Sequence, residues 1–343
     1  VSTAPSPVPA GVGRGPDAAA GPAEQGARRS RAHTRRSARR GAGAACAALM
    51  TSFFLLLVLV FLLPVGVAVW LSFFGDDQPG LGFGPERTVF TGLRSYRAVL
   101  TDPTFLRGLG TTALYCLVHL PLMVVLSLAL ALLLDSGAAR LRRTAQLALF
   151  LPHAVPGIIA AVIGLYLYTP GLSPVIGLLD SAGVRVDLLG VDTVLPSVVN
   201  IALWSNLGYN VVIFYAALQA VPREVTEAAL VDGAGPVRTA LLVKVPLVRG
   251  SAVMVVLFTL IWSLQLFTEP MLLSQASPVV GARWTPNMYI YDAAFTRNNY
   301  GLAAAASVVL LAVTVALSYA VGRWSTRGAR PGGPGRPGEG GPR

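Results

Sequence analysis

The stretch Glu227–Pro246, EAALVDGAGPVRTALLVKVP, decides how the rest of the chain is read. It is charged and helix-prone, yet it lies between two long apolar runs. Pro222 suits the first turn of a helix, because its missing N–H is one that a helix start leaves unpaired. Glu224 and Glu227 follow where the helix dipole favours negative charge. Ala228, Ala229 and Leu230 are strong helix formers. Gly233 and Gly235-Pro236 then end or bend that helix. A second short helix is expected over 237–244, closed by Pro246 as the chain returns to an apolar run. Two short helices about a glycine bend form a compact knob that can dock on another protein. A segment of this composition can also lie at an interface and merely join two spans.

Composition places the knob in a membrane protein. The chain has 343 residues, 54% hydrophobic and 13% charged, against about 25% charged in a typical soluble domain. Its net charge is +11, but the basic residues sit in the tails and in short loops beside apolar runs. That distribution suits lipid headgroups and membrane topology, and argues against a nucleic-acid partner. Cys46 and Cys116 both fall in apolar runs without a CxxC partner, so they read as small buried hydrophobes. His33, His119 and His153 form no ligand spacing, and no metal site or catalytic residue is expected.

Working outward, six apolar runs are each close to the roughly 20 residues that cross a bilayer as a helix. They cover about 44–74, 111–134, 146–168, 195–218, 250–267 and 302–321. The first is too long for a signal peptide and is followed by no clean cleavage site, so it reads as a retained anchor, kinked at Pro64. Residues 1–43 are rich in Ala, Gly, Pro, Ser and Arg and are expected to be a disordered basic tail. Residues 324–343 form a second, Gly/Pro/Arg-rich tail, leaving 44–323 as the membrane domain, with 221–246 as its charged inner segment. The basic residues Arg28 to Arg40, then Arg140, Arg142 and Arg143, then Arg223, Arg238, Lys244 and Arg249, then Arg323, Arg327 and Arg330 all fall on one side of a six-span arrangement. The positive-inside rule makes that side, and both termini, cytoplasmic. The fold expected is all-α and polytopic.

The central stretch resembles the EAA motif of permease subunits in binding-protein-dependent ABC importers. Glu227-Ala228-Ala229, Gly233, Val243, Val245 and Pro246 stand at the motif's spacing. The flanks are similar to the carbohydrate-uptake branch: Ala217-Leu218, Val221-Pro222 and Asp232-Gly233-Ala234 occupy its accompanying positions, and Ala294-Phe295 its pair before the last span. Two positions depart from the pattern. Thr111-Thr112 replaces an Asn-Thr, and Gln275-Ala276-Ser277-Pro278 replaces a Gly-Gly-Pro. The resemblance implies a type I ABC importer transmembrane domain in the bacterial plasma membrane. It implies that Glu227, Ala228, Ala229 and Gly233 couple the chain to ATPase subunits. It further implies a second homologous permease, two ATPases, an extracytoplasmic solute-binding protein and a carbohydrate-type substrate. No cofactor is expected on this chain; ATP and magnesium belong to the partner ATPase.

The residues themselves offer a pathway. Strongly polar groups are costly in lipid and mark interiors. Asn200, Asn206 and Asn210 lie on the fourth run, with Gln265 and Glu269 at the outer end of the fifth. Tyr209 and Tyr215 offer a ring face and a hydroxyl. Asn206, Tyr209 and Gln265 are the candidates for lining a translocation pathway, with interhelical packing as the alternative. Glu269 reads as a loop or gate residue. No GxxxxGK[ST] loop is present, so nucleotide phosphates are expected on a partner. Two other classes are considered from the residues alone: an ion-driven secondary carrier, and a membrane scaffold that transports nothing. The lack of a centred intramembrane acid disfavours the carrier.

Overall fold

The computed structural model describes residues 46–77, 87–136 and 142–327. The expected tail 1–43, and residues 328–343 of the expected tail 324–343, lie outside the described residues. The chain divides into two compact units, Val1–Gly66 and Val67–Arg343. The described part of the first belongs to helix α1 (Cys46–Leu71), which leaves Phe53, Leu55, Leu59, Phe61 and Leu63 exposed. A helix apolar all round needs lipid or another subunit around it. Where a kink was expected at Pro64, a π turn spans Val58–Leu62, and the Leu63 N–H reaches the Val58 carbonyl. Proline lacks an N–H and crowds the carbonyl four residues back, so the turn ahead of it widens.

In the second unit, strands β1 (Phe74–Asp77) and β2 (Arg87–Phe90) pair antiparallel, with Phe74 opposite Phe90. This ribbon is the one strand pairing among the described residues. Helices α2 (Arg94–Thr101) and α3 (Pro103–Asp135) follow. Asp102 caps α3, its Oδ1 accepting the Thr104 N–H at 2.7 Å, and Pro103 fills the first turn. This cap starts α3 eight residues ahead of the expected span. Its 33 residues reach about 50 Å, beyond the roughly 30 Å of hydrocarbon. Thr112, Tyr115, His119, Met123, Ser127 and Ala131 form its buried stripe at helical spacing.

The third expected span is broken. Helices α4 (Arg142–Ala154) and α5 (Gly157–Tyr168) meet at 93°. Pro156 explains the break, because the residue before a proline is driven out of the helical region; Val155 is extended, with φ −77° and ψ 128°. Five described helices are therefore long and apolar enough to cross a membrane, or six if this bent pair counts as one.

Helix α6 (Val194–Gln219) packs along α3 and forms the centre of the unit. At Gly208 a Cβ would run into the Leu149 carbonyl and the Phe150 backbone, so glycine lets α4 and α6 touch through backbone. Then come α7 (Arg223–Val231), α8 (residues 236–247), α9 (Arg249–Leu264) and α10 (Thr268–Leu273). The last helix, α11 (Tyr300–Arg327), runs past the expected end of its span, so 324–327 continue a helix instead of opening the tail. Val211, Phe214 and Leu218 of α6 form one core with Ala131, Leu134, Val248 and Val255. Val198, Ile201 and Ala202 form a second core with Tyr115, Leu266 and Leu273.

Candidate functional site

Two features stand out, an elbow between α6 and α9 and a cavity within the bundle. Pro222 is the N-cap of α7, one place ahead of the first turn, and Glu224 sits in that turn. The helix ends in a Schellman motif: the Gly233 N–H bonds to the Leu230 carbonyl at 3.0 Å, and the Ala234 N–H to the Ala229 carbonyl at 2.9 Å. Gly233 has φ +81° and nothing within 4 Å of where a Cβ would stand. The glycine is required by backbone conformation, because the region around it is open. Helix α8 is longer than the 237–244 expected. It begins at Pro236, and Pro246 does not close it. A π turn at Ala240–Lys244 absorbs Pro246 as the one at Val58–Leu62 absorbs Pro64.

Glu227, Ala228 and Gly233 are exposed and Ala229 is partly so. Around them Val231 is 87% exposed and Val237 71%, with Leu230, Leu241 and Leu242 also open. Apolar side chains concentrated on a charged elbow call for a covering surface, whether a protein partner or the membrane interface. The elbow is fastened to the bundle. Lys244 Nζ lies 2.5 Å from Asp135 Oδ2, and Gln219 Nε2 donates to Asp135 Oδ1 at 2.7 Å. Asp135 thus ties the ends of α3 and α6 to α8.

The cavity has a volume of about 340 Å³ and lies between α3, α6, the α4–α5 break and the α9–α10 break. Asn206, Gln265 and Glu269 line it. Tyr209 backs its wall, stacked on His153 at 4.9 Å between ring centroids and near Trp262 at 5.6 Å. The other flagged polar residues lie elsewhere. Asn200 accepts from the Tyr168 hydroxyl at 2.7 Å, Asn210 is wholly buried, and Tyr215 lies under the Arg142 guanidinium.

Sequence reasoning missed His119, His153, Thr259, Trp262 and Ser263, which also line the cavity. Their signal was present as spacing: Tyr115, His119 and Met123 are one turn apart on α3, and Thr259, Trp262 and Ser263 share a face of α9. His119 Nδ1 meets Ser263 Oγ at 3.0 Å, joining the two helices across the cavity wall. His119 Nε2 and Thr259 Oγ1 are buried without a hydrogen-bond partner. Among the described residues no group of His, Cys, Asp and Glu could hold a metal ion.

Spans of this length around a polar chamber define a polytopic helical membrane protein with an internal solute-sized space. The family described as "Binding-protein-dependent transport system inner membrane component" matches residues 103–330, and the chain belongs to it. It is 30% identical to the "Probable ABC transporter permease protein YurN" of Bacillus subtilis over 273 residues, covering 77% of this chain and 92% of that one. It is 30% identical to the "sn-glycerol-3-phosphate transport system permease protein UgpA" of Pectobacterium atrosepticum over 268 residues, covering 77% and 88%. The fold is similar to a subunit in the crystal structure of a bacterial alginate ABC transporter bound to its alginate pentasaccharide-loaded periplasmic protein. That likeness has a TM-score of 0.72 and 19% identity, over 87% of this chain and 98% of that one. The chain is thus a non-enzymatic, multi-pass permease subunit of an ABC importer for a polar solute.

Proposed function

We propose that the chain forms half of the translocation pathway for a carbohydrate or related polyhydroxylated solute, and takes its motion from ATPase subunits through the elbow. The elbow is the observation that carries this reading: an exposed helix bearing Glu227 and Ala228, ended by a left-handed glycine and tied by Lys244 to Asp135. Glu227, Ala228, Ala229 and Gly233 are the coupling residues. A second permease completes the pathway, and an external solute-binding protein delivers the solute. ATP binding and hydrolysis on the paired ATPases move each elbow as a rigid body, and the spans rock between outward-open and inward-open arrangements. Both termini are cytoplasmic, as the arginine distribution requires.

The named relatives support a polyhydroxylated substrate. One is a permease for sn-glycerol-3-phosphate, and the similar structure belongs to an alginate transporter. Asn206 and Gln265 line the route, with Tyr209 supporting its aromatic wall. Glu269 and the broken helices around the cavity are features shared with an ion-driven carrier, and membership of a binding-protein-dependent family weighs against that class. The test is Glu227→Lys in the assembled transporter. Insertion is expected to survive while ATPase association or solute-stimulated ATP turnover falls at least tenfold. Unchanged association and transport would contradict the coupling role.

A further inference from the structure

We infer that a crevice between the start of α3 and the loop at residues 281–284 holds the phosphate of an anionic phospholipid, whose acyl chains lie along α3. The crevice has a volume of about 400 Å³. Thr104, Arg107 and Thr111 line it from α3, and Gly281, Arg283 and Trp284 from the loop. It shares no residue with the polar cavity of the bundle. Among the described residues its wall holds two arginines and no carboxylate. Arg107 is exposed and makes no ion pair with a described residue. Arg283 Nε lies 3.5 Å from Asp292 Oδ2, an oxygen that Arg297 Nε approaches more closely, at 2.9 Å. Asp102, on the other side, already accepts from the Thr104 N–H and the Tyr289 hydroxyl. Two guanidinium groups on one crevice repel each other until an anion joins them, and their planar forks match a phosphate.

Depth and the neighbouring surface identify the anion as a lipid. The apolar run of α3 begins near Thr111. Arg107 stands four residues further along the axis, about 6 Å beyond the hydrocarbon edge, which is headgroup depth. Trp284, partly buried against the bundle, supplies the amphipathic ring favoured at that level. The far end of α3 is Asp135, tied to the elbow, so the crevice opens at the membrane surface away from the elbow. From Arg107 toward the bilayer centre, Gly110, Leu114, Leu117, Pro121 and Val125 follow at helical spacing, and all are exposed. A stripe of apolar side chains headed by a cation has the form of a phospholipid, with phosphate above and chains below. A soluble anion has no use for the stripe, and a carboxylate on an external protein would leave it uncovered. Basic crevices at a membrane surface favour anionic over zwitterionic lipids.

The test uses the assembled transporter in phosphatidylcholine nanodiscs. A trace of phosphatidylglycerol or of phosphatidylcholine, each carrying a diazirine in one acyl chain, is added and activated by light. Adducts on residues 110–125 are then mapped by peptide mass spectrometry. Phosphatidylglycerol is expected to label the stripe about tenfold more than phosphatidylcholine. Inorganic phosphate in the buffer is expected to leave that label in place. Arg107→Gln, which breaks no ion pair among the described residues, is expected to remove most of the preference. Equal labelling by the two lipids would overturn the inference. So would a stripe that takes label from neither, as it would if the second permease covered it. Competition by inorganic phosphate would assign the crevice to a soluble anion, and an unchanged preference in Arg107→Gln would place the lipid elsewhere; either result overturns it. The wild-type comparison stands without the variant. The labelling needs neither nucleotide nor solute, so its failure leaves the coupling role of the elbow standing.

Discussion

Lys244, the one lysine of the chain, reaches back across 109 positions to place its Nζ 2.5 Å from the Asp135 carboxylate. Asp135 also receives the Gln219 amide, so one carboxylate gathers the end of α3, the end of α6 and the second helix of the elbow. A load applied to the elbow passes to the two most extensively packed helices of the bundle through this point. Both side chains are mostly buried, at 21% and 10% exposure. Removing one partner strands the other, and for a partly exposed pair the cost is about 2 kcal/mol.

Asp135→Ala is therefore expected to lower the thermal midpoint of the complex and to uncouple ATP turnover from uptake. The exchanged pair, Asp135→Lys with Lys244→Asp, is expected to recover at least half of the lost coupling. Solute-stimulated ATP hydrolysis and uptake in proteoliposomes measure both. A double variant no better than either single one would show that the link is not electrostatic.

Gly233 gives a prediction that separates conformation from space. Its φ of +81° penalises any residue with a Cβ, by about 1–2 kcal/mol, while nothing crowds the position. Gly233→Asn is expected to retain most transport and Gly233→Val to lose it, because asparagine tolerates the left-handed region and a β-branched residue does not. Equal loss in both variants would point instead to close approach by a partner.

Gly208 behaves in the opposite way. Its neighbours are the Leu149 carbonyl and the Phe150 backbone, which cannot rotate aside. Gly208→Ala is expected to force α4 and α6 apart and to lower the thermal midpoint by several degrees. Gly110→Ala, at a position with nothing within 4 Å, serves as the neutral comparison. Equal midpoints for the two variants would refute the backbone contact.

The Asp102–Tyr289 pair predicts a pH dependence. Burial alone would raise the Asp102 pKa, but the Thr104 N–H and the Tyr289 hydroxyl, at 2.8 Å, stabilise the carboxylate, and the net direction is below the usual 3.8. A folded pKa below the unfolded one contributes stability that is present above about pH 4 and lost as pH falls through the folded value. Tyr289→Phe is expected to cost about 1 kcal/mol near neutrality, and less as pH falls and Asp102 takes up its proton. Thermal midpoints at pH 7 and pH 3 check this; a difference that grew in acid would reverse the sign.

Most of the fold was legible because apolar runs of about 20 residues report spanning helices directly. Five of the six runs correspond to continuous or briefly interrupted helices. The third did not, although Pro152 and Pro156 stood in plain view. A hydropathy pattern records residue type and says nothing of the axis, so the 93° turn at Val155 was invisible. The Asp102 cap was missed for a related reason: residues 103–110 include Arg107 and two glycines and lie outside the apolar run. In the cavity, Asn206 and Gln265 were found because amides are conspicuous in a span. His119, Thr259 and Trp262 were passed over because single residues of those types on an apolar helix are ordinary, and only the packing of α3 against α9 brings them together.

The central claim is that the elbow meets a separate motor on the cytoplasmic side. Glu227→Cys, placed in the full transporter with the two native cysteines replaced, tests it through cysteine crosslinking to the ATPase subunits. A crosslinked permease–ATPase product is expected, with its yield changing between the nucleotide-free and ATP-bound states. Modification of Cys at that position by an impermeant reagent added from outside intact cells, with no ATPase adduct in either state, would contradict it.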